Sequence, residues 1–168
     1  FFFGIGAHKG LRLNIEGESD FKVGVIDCID FLKKVNLSEK INLGQRVVVV
    51  GGGHSAIDAA RTSVRLGASE VVIVYRRSKD EMPAGEDEIR IAEEEGVNIH
   101  FLTIPKRVKG REGKVTHLEC MRAELGEQDE GGRRRPIPME GTEFDIEADT
   151  VILSIGQTVD IAQIIDAQ

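Results

Sequence analysis

The chain has 168 residues, 40% of them hydrophobic and 30% charged, with a net charge of −7. That balance belongs to a globular chain long enough for one domain with a sizeable core. Its acidity argues against nucleic acid as a partner, because a phosphate backbone needs clustered positive charge, and no apolar stretch approaches the roughly 20 residues of a membrane-crossing helix.

In chain order, Phe1 to Gly6 reads as an orphan strand of a sheet whose other strands lie elsewhere, so the chain reads as a piece of a longer polypeptide. Residues 7–22 are a charged, glycine-containing connector. Val25, Ile29, Leu32 and Val35 recur at helical spacing and predict an amphipathic helix over 24–35. A turn at Asn42–Gln45 leads into a strand over 46–50, Arg-Val-Val-Val-Val. A helix over about 55–66 follows, with Gly67 as its stop. Glu70–Tyr75 predicts a second buried strand. Asp80–Ala84 reads as a loop with Pro83 at a helix start, and an acidic helix over about 85–95 ends at Gly96. A third strand covers about 98–102. From Pro105 the pattern changes to an antiparallel hairpin that turns at Gly110–Gly113 and returns over Val115–Leu125. Gly126–Pro138 reads as a polar loop, 142–147 as a strand that pairs back, and Thr150–Gly156 as a buried strand ending in glycine. The order βαβαβ, then a β-meander, then a returning strand predicts an α/β fold. It is a Rossmann-like parallel sheet with helices on both faces and an antiparallel insertion, the last strand lying beside the first.

The strand at 46–50 breaks into Gly51-Gly52-Gly53-His54-Ser55-Ala56, which has the spacing G-x-G-x-x-A. Gly51 permits the turn, Gly53 lets a pyrophosphate approach the backbone, and Ala56 lets the helix lie close to the sheet. The free N–H groups at the helix start carry partial positive charge that suits a phosphate. FAD also binds such turns, so the nucleotide is chosen by a second signal. NAD sites place an acidic residue about 20 positions on, to hold the ribose 2′-hydroxyl. Here that strand end offers Arg76 and Arg77, which can fork onto a 2′-phosphate. The combination points to NADP(H). Ser154, Ile155 and Gly156, at the carboxyl end of the last strand, are expected on the nicotinamide side of the crevice.

The remaining polar residues carry weaker signals. His54 could cap the helix or touch the cofactor, but is no catalytic base. Asp58 and Arg61 lie one turn into the helix and suit a structural pair, and Lys79 reads as an exposed lysine. His8, His100 and His117 have no partners at metal-ligand spacing. Cys28 and Cys120 form no C-x-x-C pair, so they read as small buried hydrophobes in a reducing, cytoplasmic setting. Arg133, Arg134 and Arg135 read by default as a solvated loop, with a contact to another domain or subunit as the lesser reading. No catalytic residue and no metal site are assigned.

Val47–Arg61, Tyr75–Ala84, Gly132–Pro138 and Ile155–Gln157 together resemble the small (beta) subunit of glutamate synthase. They also resemble related NADPH-dependent flavoprotein oxidoreductases, including the flavin half of dihydropyrimidine dehydrogenase. Gly6–Gly10, Ile15–Glu18 and Asp30–Leu32 look like the stretch that joins the FAD and NADPH domains of that family. The resemblance implies that NADPH passes hydride to FAD and that electrons move on through iron–sulfur clusters to a partner subunit. It carries over the glycine turn, the two arginines and the Ile-Gly-Gln strand end; His54 stands where the family usually has Asn.

The resulting division is 1–22 as a fragment of the FAD domain with its connector, 23–45 as a linking helix and turn, 46–157 as the NADP(H)-binding domain, and 158–168 as a return segment. The expected partners are the FAD domain of the same polypeptide and a large synthase or electron-acceptor subunit. By itself the piece would bind NADPH without turnover. A stand-alone NADP-dependent dehydrogenase and a non-catalytic nucleotide-sensing module remain the alternatives; against the former, the only tyrosine, Tyr75, lies in a predicted buried strand.

Overall fold

The computed structural model describes residues 9–21, 23–129 and 131–158; the strand expected at 1–6 and nearly all of the return segment lie outside them. Strands β1 (Lys9–Gly10) and β2 (Val25–Asp27) precede helix α1 (Cys28–Asn36). The helix predicted over 24–35 therefore begins as a strand. The switch lies at Asp27, whose extended backbone ends β2 and whose Oδ1 accepts from the N–H groups of Ile29 and Asp30 at 2.9 and 3.1 Å.

Strand β3 (Arg46–Val50), helix α2 (His54–Arg65), strand β4 (Glu70–Val74), helix α3 (Glu86–Glu94) and strand β5 (Val97–His100) follow. Strands β6 (Thr103–Arg111), β7 (Lys114–Gln128), β8 (Arg134–Pro138) and β9 (Phe144–Glu147) make the antiparallel part. Strand β10 (Thr150–Leu153) returns to the parallel sheet, and β11 (Gln157–Thr158) pairs with β1. Helix α3 is capped by Gly85 rather than led by Pro83, because the Glu88 carboxylate reaches back to accept from Gly85 N–H at 2.9 Å.

The parallel sheet has the order β2-β10-β3-β4-β5. The returning strand β10 lies beside β3, the first strand of the glycine-turn unit, as expected, and β2 adds to its far edge. Residues read as a link thus supply an edge strand of the sheet. Side chains alternate between faces along each strand. Val47, Val49, Ile73 and Ile152 meet Phe31 of α1, Ile57 of α2 and Ile89 of α3. Val48, Val50, Val72, Val74 and Val151 meet Val108, Leu118 and Ile146 of the antiparallel sheet. The α/β class with an antiparallel insertion holds. The layering differs from helices on both faces: the described helices share one face, and the antiparallel sheet covers the other because its own apolar face has no other cover.

The expected loop Gly126–Pro138 is largely strand. Strand β7 is 15 residues long, and β8 pairs with its second half, Leu125 facing Pro136 and Glu124 facing Ile137. Two prolines and two arginines hide the alternation of β8, yet proline is tolerated on an edge strand, whose outer N–H groups need no partner. Connector residues Leu13, Ile15 and Phe21 pack against the same cluster as Leu118. Both cysteines are buried, and desolvation raises the Cys28 thiol pKa and takes that of Cys120 to about 12. No described helix is long and apolar enough to cross a membrane.

One side chain ties the ends of β3 and β10 together. Asp149 Oδ2 accepts from the N–H groups of Gln45 and Arg46 at 2.8 and 2.9 Å, and Oδ1 accepts from Arg46 Nη2 at 2.8 Å. The Arg46 hydrogen bond, reinforced by the two N–H groups, draws the Asp149 pKa down to about 2. A carboxyl held below its unfolded value contributes stability above the unfolded pKa of about 3.9 and loses it as pH falls through the folded value. Asp149→Asn is expected to cost roughly 1–2 kcal/mol at pH 7, allowing for solvent screening. Urea denaturation should show that difference shrinking between about pH 5 and pH 2.

Candidate functional site

The carboxyl ends of β3, β4 and β10 open into a cleft of about 520 Å³. In an open α/β sheet this is where ligands bind. Its floor is the glycine turn. Gly51 N–H donates to Val74 O at 3.0 Å. Its φ is +146°, and a Cβ would lie 2.1 Å from Ser154 O, so the fold itself requires glycine there. A Cβ on Gly52 would strike the Tyr75 ring at 2.4 Å. That ring is fixed by its hydroxyl, which donates to Glu81 O at 2.7 Å.

Gly53 is different. Its φ is −90°, which any residue accepts, and its Cβ direction meets nothing within 4 Å. No contact within the described protein requires glycine at 53. The N–H groups of Gly52, Gly53, His54 and Ser55 also find no acceptor among the described residues. They belong to the turn and to the first positions of α2, where partial positive charge collects. Backbone donors without acceptors, facing a surface kept free of side chain, are what a pyrophosphate needs. Ala56, fully buried, sits where α2 meets the sheet.

Ser154, Ile155 and Gly156 line the cleft beside the turn, and Leu11 N–H donates to Gly156 O at 3.0 Å. Leu11 and Leu13 give that side an apolar lip.

The strand end after β4 forms the basic corner. Arg76 is exposed and makes no hydrogen bond to a described residue. Desolvation of its guanidinium first, then the neighbouring Arg77 charge, lowers its pKa. Arg77 also borders the cleft but is only 5% exposed. Its Nε donates to Arg134 O at 2.7 Å and its Nη2 to Asp129 Oδ2 at 3.4 Å. The equal pair of free arginines read from the sequence is therefore unequal: the Nε–Nη2 edge of Arg77 is already occupied.

His54 leans away from the cleft, its Nδ1 2.7 Å from Glu88 Oε2. It links the starts of α2 and α3, and the residues that line the cleft include Gly51–Gly53 but not His54, Ser55 or Ala56. Ser55 is held by its carbonyl, which accepts from Cys28 Sγ at 3.4 Å. Arg61 pairs with Glu95 rather than Asp58, through Nε at 3.0 Å and Nη2 at 2.6 Å. The sequence reading missed Arg133, which lines the cleft with Arg76 and Arg77, and it missed Leu11, Arg12 and Leu13. For Arg133 a sequence signal existed in the three consecutive arginines, but nothing local says that the turn bearing them folds back onto β4.

The residue pattern of the pyridine nucleotide-disulphide oxidoreductases matches residues 2–168. The chain is 44% identical over 162 residues to the beta subunit of NADP(+)-dependent formate dehydrogenase from Moorella thermoacetica, covering 96% of this chain and 23% of that protein. It is 46% identical over 167 residues to the beta subunit of NADPH-Fe(3+) oxidoreductase from Geobacter sulfurreducens, covering 98% and 25%. The glutamate synthase [NADPH] small chain of Escherichia coli is 36% identical over 168 residues, covering 92% and 35%. The chain thus spans about a quarter to a third of these relatives. The fold matches Mycobacterium tuberculosis FprA in complex with NADPH, with a TM-score of 0.73 at 22% identity over 91% of this chain and 49% of that one. With the glycine turn, the crevice and the parallel order all in place, and the match running over nearly its whole length, the chain belongs to the pyridine nucleotide-disulphide oxidoreductase family.

Proposed function

We propose that the chain is the NADP(H)-binding part of a flavin-dependent oxidoreductase. The turn Gly51–Ala56 holds the pyrophosphate, the arginine corner holds the 2′-phosphate, and Ser154–Gly156 flank the nicotinamide. Bound NADPH supplies a hydride, and FAD carried elsewhere in the same polypeptide accepts it. The task of this chain is to orient the nicotinamide and keep the dinucleotide in register. Strands β1 and β11 run antiparallel side by side, so the segments that enter and leave the unit are neighbours, which suits a module set into a larger flavoprotein. The names of its relatives, which are subunits or small chains, support a large synthase or another electron-acceptor subunit as the onward partner, and the family resemblance adds iron–sulfur clusters as the route.

The observation that carries this reading is Gly53, whose Cβ direction is open, at a helix mouth whose N–H groups find no acceptor among the described residues, beside exposed Arg76. Calorimetric titration of the intact protein should favour NADPH over NADH by tenfold or more. Arg76→Ala should weaken NADPH about 10- to 100-fold, the loss of a charge-assisted contact, and leave NADH within about twofold. Equal affinities for the two nucleotides in the unmodified protein would overturn the assignment.

A further inference from the structure

The turn between β7 and β8 is held at both ends. Asp129 N–H donates to Arg133 O at 2.7 Å, and Gly132 N–H donates to Asp129 O at 2.9 Å. Asp129 Oδ1 accepts from the N–H groups of Gly131 and Arg133, both at 3.0 Å. The turn is then fastened to the segment after β4: Arg77 donates to Arg134 O and Asp129 Oδ2, and Arg134 N–H donates to Glu81 Oε1 at 3.0 Å. Docking fixes the backbone of Arg133 on both sides and brings its side chain to the cleft that Arg76 lines. The Asp129 carboxylate is already shared among two N–H groups and Arg77. Arg133 itself has no ion-pair partner among the described residues.

We propose that Arg133 is, with Arg76, a ligand of the NADP(H) 2′-phosphate, and that Arg77 is a positioning residue whose main work is to hold the Asp129–Arg134 turn in place. This rests on the NADP(H) reading above and deepens it. Two exposed arginines line one corner without a side-chain acceptor among the described residues, and a phosphate dianion between them satisfies both. Arg77 is buried with one forked edge committed, so it acts on the phosphate chiefly through Arg133. The 2′-phosphate site is then built from two segments far apart in sequence, one at each side of the corner.

The test is calorimetry of the intact protein with NADP+ and NAD+, combined with hydrogen exchange at the Gly131–Arg134 amides. Arg133→Ala should weaken NADP+ about tenfold or more, with NAD+ within about twofold and exchange in the turn unchanged. Arg133→Lys should recover part of the loss. Arg77→Gln should weaken NADP+ and also speed exchange in the turn, which a direct ligand would not do; should that variant fail to fold, the Arg133 variants decide by themselves. If Arg133→Ala keeps full NADP+ affinity while Arg76→Ala loses it, the Arg133 assignment is overturned and the NADP(H) reading stands. If the unmodified protein does not distinguish NADP+ from NAD+, both fall.

Discussion

Gly53→Val is expected to leave the protein folded and to weaken dinucleotide binding about 100-fold, near 2.8 kcal/mol. The backbone at 53 is extended, and a Cβ there meets no described atom within 4 Å. Gly53 is the N-cap of α2, where valine is disfavoured, so stability should fall by about 1 kcal/mol and the protein stay folded. The new side chain would occupy the approach to the N–H groups at the mouth of α2. Hydrogen bonds from such donors to a charged oxygen are each worth about 1.5–3 kcal/mol, and displacing the pyrophosphate removes at least one. Gly51→Ala is the contrasting control. A Cβ there lies 2.1 Å from a backbone oxygen at a φ of +146°, so folding should suffer before binding is in question. Calorimetry with NADPH, paired with thermal denaturation, separates the two. Tight NADPH binding by Gly53→Val would remove the glycine turn from the site.

Leu118→Ala is expected to cost about 2–5 kcal/mol, a large share of the stability of a single domain. Leu118 is fully buried in the first half of β7, where it meets the valines on the far face of the parallel sheet. Its removal leaves a cavity between the two sheets that neither can close by itself. Because the two sheets share one apolar layer, the loss should appear as one cooperative shift rather than as early melting of the antiparallel sheet. Chemical denaturation followed by far-ultraviolet circular dichroism and by limited proteolysis of β8 is the measurement. Two separate transitions would show the antiparallel sheet to be an appendage, with the parallel sheet standing without it.

Much of the parallel sheet was legible because its signals are local. Four consecutive valines before a glycine turn mark a strand buried on both faces, and the small residues of α2 mark a helix lying close to a sheet. That the sheet is parallel, with the returning strand beside the first, then followed from right-handed crossovers. The failures fall where two signals overlap or where the deciding partner is distant. At 24–35 an apolar pattern with helical period concealed a strand, because Val25 fits either reading until Asp27 caps the helix. Strand β8 was hidden by Arg134-Arg135-Pro136-Ile137-Pro138, a composition that reads as loop until β7 offers it an edge.

The same division runs through the candidate site. The glycine spacing, the two arginines after β4 and the glycine after β10 are each properties of a short segment, so the sequence by itself determined the family, the parallel unit and the place of the crevice. Which arginines are available there is a matter of three-dimensional competition. Arg76 and Arg77 are adjacent and chemically identical, yet one is exposed while the other is buried against Arg134 and Asp129. Only the tertiary structure decided that, and only it brought Arg133 to the same corner. A side chain's donors go to whatever acceptor folding sets beside them, and those acceptors lie more than fifty residues away along the chain.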